Sequence, residues 1–311
     1  MRFSLMLTSL AIMLSSSAVN AASTVVPTTT SFAHLAQGRW QGEETVIVKK
    51  GDTLSSIGGR YATTPNEIAT LNAIKPNKSL RIGQTLKVNY VHLIPSDLPD
   101  GITINIPQRL LFLQKAGVNA GIYAVSLGRP SWKTPTGTWK IANKKENKTW
   151  IVPKSIQQEM AREGKVVKTH VAPGPNNPLG RFWLGLSLSG YGIHGTLAPA
   201  SIYRFQTHGC IRLHPDAIAE LFTQVETGMI GSNNYWPILL EIQPNGTIMI
   251  EVHPDIYSRR VNGKLALQQL TDAQQVTAKI DWTLAESALK AASGVPVDVS
   301  LRAVTAPIKP L

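Results

Sequence analysis

Residues 192–213 read GIHGTLAPASIYRFQTHGCIRL. The stretch holds Cys210, the only cysteine of a 311-residue chain, with His194 sixteen residues before it and His208 two before it. What lies on either side sets the fold. Upstream, FWLGLSLSGYGIHG (182–195) alternates in strand fashion around glycines. Downstream, Pro215 suits the first position of a helix over 214–228, where Ile218, Leu221, Phe222 and Val225 recur with helical spacing and Gly228 is placed to end it. Further upstream, Ile102, Ile104 and Ile106 alternate, Leu110 to Leu113 form a short buried run, and Tyr123 and Val125 alternate again. With closing strands expected over 238–242 and 247–252, residues 101–242 read as a mainly β domain.

A lone thiol is either a small buried hydrophobe or a reactive group. The nucleophile is the thiolate, so a catalytic cysteine needs a base within reach. His194, His208 and His214 are the nearby candidates. A histidine acting as base needs its other nitrogen held, often by a backbone carbonyl. Gly209 lets the main chain approach a substrate closely, and backbone N–H groups there can receive the charge of an attacked carbonyl. A helix N-terminus pointing at the sulfur would favour thiolate. His194, His208, Cys210 and His214 could instead hold zinc, although no second thiol or carboxylate cluster supports that.

The chain begins MRFSLMLTSLAIMLSSSAVNAA, with Arg2 ahead of an apolar core from Leu5 to Leu14 and small residues up to Ala21. Residues 1–21 read as a secretory signal, too short in its apolar core to span a membrane. This predicts an exported protein. Residues 22–43, rich in Thr, Ser and Ala at their start, read as a flexible leader. Lysine and arginine outnumber aspartate and glutamate by 31 to 19, which draws the chain to polyanions; export argues against nucleic acid and leaves cell-wall polymer or a membrane surface.

Residues 44–89 have their own plan. Val46 and Val48 alternate, Asp52 can cap a helix carrying Leu54 and Ile57, and Pro65 can open a second with Ile68 and Leu71. Gly83 then turns the chain into a strand with Leu86 and Val88. KKGDTLSSI, TTPNEIATLN and LRIGQTLKV make this strand-helix-helix-strand unit resemble a LysM module, which implies binding of peptidoglycan glycan strands. Gly58-Gly59 departs from that pattern at a cost to helix formation of about 1 kcal/mol per glycine. Residues 90–100, with two prolines, read as a linker, 144–170 as an insertion beside the sheet, and 243–311 as an extension without an assigned role.

GIHG, then THGCIR, resembles the signature of L,D-transpeptidases of the YkuD type, and KTPTGTW (133–139) and APGPNNPLGRFWLGL (172–186) resemble two further blocks of that family. The fold implied is a YkuD-type β-rich catalytic domain beside a small βααβ LysM domain, α+β overall. The resemblance implies that Cys210 is the nucleophile, His194 its base, and the Gly195 carbonyl the group orienting that base. His208, Gly209 and the Cys210 amide match the oxyanion and substrate wall, and Arg212 a residue meeting donor carboxylate. It implies no metal or organic cofactor. The reaction implied is periplasmic acyl transfer on peptidoglycan tetrapeptide stems. D-alanine leaves, and 3–3 cross-links form or an outer-membrane lipoprotein is joined to the wall. Water as acceptor would make the enzyme a carboxypeptidase or hydrolase, and a silent wall-binding protein is the rival reading. His214 is left to a capping or surface role.

Overall fold

A computed structural model describes residues 31–302; the expected signal segment lies outside them. β1 (Ala33–Ile47) leads to α1 (Leu54–Tyr61), α2 (Pro65–Leu71) and β2 (Thr85–Pro95). Thr53 and Thr64 each close a capping box, with Ser56 and with Glu67 at the third helical position. Val46, Val48, Leu54, Ile57, Ile68, Leu86 and Val88 form the small core between helices and strands.

The expected leader and linker are both corrected here. Residues 33–43 and 90–95 are strand, because the two segments pair with each other over Arg39↔Leu93 to Ile47↔Thr85. Arg39 is held by Glu241 at 2.7 Å, and His34 stacks on Trp236 with ring centroids 4.0 Å apart. These partners lie some two hundred residues away, out of sight of any local pattern.

Gly58 and Gly59 also find their reason. α1 runs its full eight residues. A Cβ at Gly58 would stand 2.5 Å from the Thr63 carbonyl oxygen, and one at Gly59 would stand 3.1 Å from Ile202. The glycines thus let the chain fold back after α1 and let α1 pack on the 3-10 turn Pro199–Ser201 and the Ile202 that follows it. Arg204 donating to Ser55 at 2.6 Å ties the same faces.

The main sheet follows: β3 (Gly101–Asn105), β4 (Leu110–Lys115), β5 (Val118–Gly128), β6 (Gly137–Glu146), the short pair β7 (Trp150–Ile151) and β8 (His170–Val171) flanking α3 (Lys154–Arg162), then β9 (Phe182–Leu186), β10 (Gly192–His194), β11 (Phe205–Thr207), β12 (Ile211–Leu213), α4 (Pro215–Gln224) and β13 (Ile230–Asn234). Nine strands lie in the order β11-β5-β12-β10-β9-β6-β13-β3-β4, and a further β4–β5 pairing closes the sheet on itself. Leu111, Leu113, Ile102 and Ile104 fill its interior with Ile218 and Leu221 of α4. Leu110 and Phe112 face outward under Ala62 and Trp40. Both faces of β4 are therefore covered, which is why its sequence is an unbroken apolar run.

β14 (Ile238–Ile242) leaves this sheet for a second one. With β15 (Ile248–Val252) and β16 (Val297–Asp298) it forms the order β16-β15-β14-β1-β2, backed by α5 (Gly263–Ala273) and α6 (Trp282–Ala291). β14 pairs in parallel with β1 over Ala33–Ala36, and the segment after it, left without a role by the sequence, completes that sheet. Buried Glu251 joins the parts, accepting from His92 Nδ1 (2.9 Å), His253 Nε2 (2.7 Å), Gln108 Nε2 (3.2 Å) and the Leu93 amide. His92 Nε2 lies 2.8 Å from the Ala62 carbonyl at the end of α1.

Candidate active site

One alternation of side chains builds the site. β10 lies between β9 and β12, with His194 opposite both Trp183 and Arg212, and Ile193 opposite Leu184 and Ile211. The isoleucines and Leu184 enter the core. The other face therefore presents Trp183, His194 and Arg212 in a row. Cys210 immediately precedes β12, two residues before Arg212; the same alternation continued back to it would set it on the face of His194, one diagonal and about 8 Å away between Cα atoms.

His194 is buried beside Trp183, ring centroids 5.8 Å apart. Its Nδ1 donates to the Gly195 carbonyl at 2.7 Å, which leaves the Nε2 lone pair free. Burial first, and then the Arg212 cation, lower its pKa from 6.5 to about 3, against the opposing pull of the Gly195 and Leu179 carbonyls. Burial pushes the Cys210 thiol up, while the Gly192 N–H, Arg212 and Lys148 pull it down. The thiol lies 3.8 Å from the Gly190 carbonyl. The resting pair is thus neutral thiol and neutral imidazole.

The loop carrying the thiol is pinned from below. Gly209 has φ +103°, and a Cβ there would stand 2.6 Å from the Tyr191 ring. Its N–H donates to Thr207 Oγ1 (3.0 Å), Thr207 Oγ1 donates to the Cys210 carbonyl (2.6 Å), and Thr134 Oγ1 donates to the Gly209 carbonyl (2.9 Å). Tyr257 holds the Thr134 N–H (3.0 Å) and donates to the Gly128 carbonyl (2.8 Å). The Gly209 amide is therefore engaged with Thr207 rather than open to the site.

His208 turns away from the thiol. Its Nε2 donates to Glu159 of α3 at 2.6 Å, and Trp132 stands edge-on to its ring with centroids 4.6 Å apart. Arg129 donates to the same carboxylate at 2.7 Å. Hydrogen bonds from Arg129 and then His208 lower the Glu159 pKa from 4.5 to about 2. Arg212 has its Nε buried with no hydrogen-bond partner among the described residues. His214 caps α4, its Nδ1 accepting from the Asp216 amide at 3.3 Å. The zinc alternative loses its geometry, because His208 and His214 face different elements from His194. The α4 N-terminus does not adjoin the sulfur: β12 separates Cys210 from α4 by about 16 Å of extended chain.

Sequence reasoning missed Arg129, Lys148, Glu159 and Trp183. Lys148 lies 4.9 Å from the Trp183 ring centroid, over the ring. Three of the four sit in or beside the 144–170 insertion and the RFW block, and no local pattern ties them to the thiol. Thr134 was visible, since it lies in the KTPTGTW block.

A closed β sheet with a carbonyl-anchored imidazole at the end of one strand and a thiol just ahead of its neighbour is a scaffold suited to acyl transfer. Residues 99–239 match the family model of the L,D-transpeptidase catalytic domain (YkuD), and residues 46–89 that of the LysM domain. The chain is 28% identical over 274 residues to Probable L,D-transpeptidase YcfS of Escherichia coli (strain K12), covering 82% of each protein. It is 27% identical over 267 residues to Probable L,D-transpeptidase ErfK/SrfK of Salmonella typhimurium, covering 82% of this chain and 86% of that one. With the YkuD protein of Bacillus subtilis it shares 33% over 190 residues, 59% of this chain and 94% of that protein. The chain belongs to the L,D-transpeptidase family, acyltransferases of peptidoglycan, and carries a LysM domain.

Proposed function

We propose that this is a periplasmic L,D-transpeptidase in which the Cys210 thiol attacks a tetrapeptide stem with His194 as its base. The observation that supports the reading is the β10–β12 register, which pairs His194 with Arg212 two residues past Cys210, together with the His194 Nδ1 already committed to Gly195. The proton of Sγ passes to His194 Nε2 as sulfur bonds to the carbonyl carbon of the third stem residue. Since burial disfavours both ions beforehand, transfer and attack run together. Arg212, Lys148 and the Gly192 N–H favour the anion as it develops. The Cys210 amide faces the oxyanion in place of Gly209.

The imidazolium returns its proton to the departing nitrogen, D-alanine leaves, and a thioester remains. An acceptor amine then attacks the thioester carbonyl, gives its proton to His194, and Sγ recovers one. The acceptor is a second stem, making a 3–3 cross-link, or a lipoprotein lysine. Water in its place gives carboxypeptidase action. The unpaired Arg212 Nε supports a donor carboxylate at that end of the site. A cavity of about 750 Å³ between α2, the β1–β2 ribbon, Tyr203 and residues 293–295 supports a glycan strand held beside the LysM domain. The segment 1–21 supports export.

Intact-mass spectrometry with a carbapenem tests the reading. A covalent adduct on Cys210 is expected, and none on Cys210→Ala. Absence of an adduct from the unmodified protein would refute it. Products formed from stem and acceptor together then separate cross-linking, lipoprotein attachment and hydrolysis.

A further inference from the structure

Two residues before the thiol in sequence, His208 together with Arg129 already binds a carboxylate, and the carboxylate is the chain's own. Glu159 gives one oxygen to Arg129 Nη2 at 2.7 Å and the other to His208 Nε2 at 2.6 Å. The cage is built on the body of the enzyme. The Arg129 amide donates to the Thr207 carbonyl at 3.0 Å, so Arg129 rides on the THGC loop itself. Trp132 walls the cage, against His208 and 5.7 Å from the Arg129 guanidinium. Arg129 Nε is buried and has no hydrogen-bond partner among the described residues, so the guanidinium retains an unused donor.

The helix that delivers Glu159 is anchored differently. α3 has no buried residue, and Pro153 caps it without a side-chain hydrogen bond. The base of the insertion is fixed, by Val152 in the interior and by Asn177 Nδ2 donating to the carbonyls of Lys148, Val171 and Ala172. The helix itself is only half-buried, held at its start by Gln157 Nε2 donating to the Val152 carbonyl at 2.8 Å, and its contact with the body through Glu159 is polar and exchangeable. The glutamate is 21% exposed in its side chain, and so within reach of exchange.

We propose that Arg129 and His208 form a subsite for a carboxylate of the donor stem, and that Glu159 fills it in the empty enzyme and is displaced on binding. This rests on the transpeptidase reading, which supplies a donor with several carboxylates. A purely structural Glu159 would make its loss harmful. An internal competitor makes its neutralisation helpful, because Glu159→Gln removes the charge that holds this side chain to the guanidinium.

Calorimetry on the full chain carrying Cys210→Ala measures donor binding without turnover. With a tetrapeptide stem, adding Glu159→Gln is expected to tighten binding three- to tenfold, and adding Arg129→Gln to weaken it at least tenfold. Two further peptides are amidated, one at the terminal D-alanine and one at the side-chain carboxylate of the diamino acid. One of them should erase both effects and so identify the carboxylate. Hydrogen exchange over 154–162 should speed up as stem peptide is added, which reads displacement even if a variant folds poorly. Weaker binding by Glu159→Gln, equal effects on all three peptides, or unchanged exchange would each overturn the proposal. Failure of Cys210 to acylate while these results hold would sink the transpeptidase reading instead.

Discussion

His194 and Cys210 show how burial sets the chemistry of single residues. An imidazole at about 3, beside a thiol pushed upward, holds no ion pair at rest. His194 is then already unprotonated across the neutral range. The account predicts that kcat/KM for acylation stays level between about pH 5 and 8. A limb centred near the ordinary imidazole value would show that the base titrates as if in water. The same depression bears on stability. Between 6.5 and about 3 the unfolded chain takes up a proton at this position that the folded chain refuses, so stability falls as pH falls through that window. The residue scale was the most legible in sequence: a lone thiol, a histidine-glycine pair and a glycine before the thiol carry their chemistry in their identity. What stayed hidden was that the Gly209 amide and carbonyl are both taken up, by Thr207 and by Thr134, once the loop is folded.

At the scale of elements, α1 carries two glycines that propensity alone would reject. Replacing Gly58 by alanine should gain about 1 kcal/mol of helix propensity. It would also set a methyl 2.5 Å from the Thr63 carbonyl, a backbone atom fixed by its own turn. The clash wins, and thermal denaturation should show a lowered midpoint for Gly58→Ala; a raised one would mean that the turn yields. α2 obeys the rules its sequence states, with Thr64, Pro65 and Glu67 as cap, first residue and reciprocal acceptor. Capping is local, so both helices could be read from the chain, although the cap of α1 is Thr53 and not the expected Asp52. α4 stops at Gln224, short of the expected Gly228, because Val225 turns extended and enters the core.

The whole molecule is organised by pairings that no window of sequence contains. β1 joins β14 at one end and β2 along the rest, so the LysM strands are the far end of a ribbon that also edges the second sheet. That made a leader of 22–43 and a linker of 90–100 reasonable from composition, yet residues 33–43 and 90–95 are strand in the fold. Glu251 is the joint, with His92, His253, Gln108 and Leu93 all donating to it in the interior. Burial pushes its carboxyl up, yet the His92 and His253 partners more than offset this and leave it at about 2. Its contribution is therefore complete above 4.5 and lost as pH falls toward about 2. Glu251→Ala strands several buried donors and should cost about 3 kcal/mol in denaturant unfolding. An unchanged midpoint would mean that the network carries no net stability.

The most direct measurement of the central claim is the mass of the protein after brief exposure to a tetrapeptide stem without acceptor. The account predicts a gain equal to the stem less D-alanine, located on Cys210, and a rate at least a hundredfold lower in His194→Asn. Acylation at another residue, or equal rates in the two proteins, would contradict it.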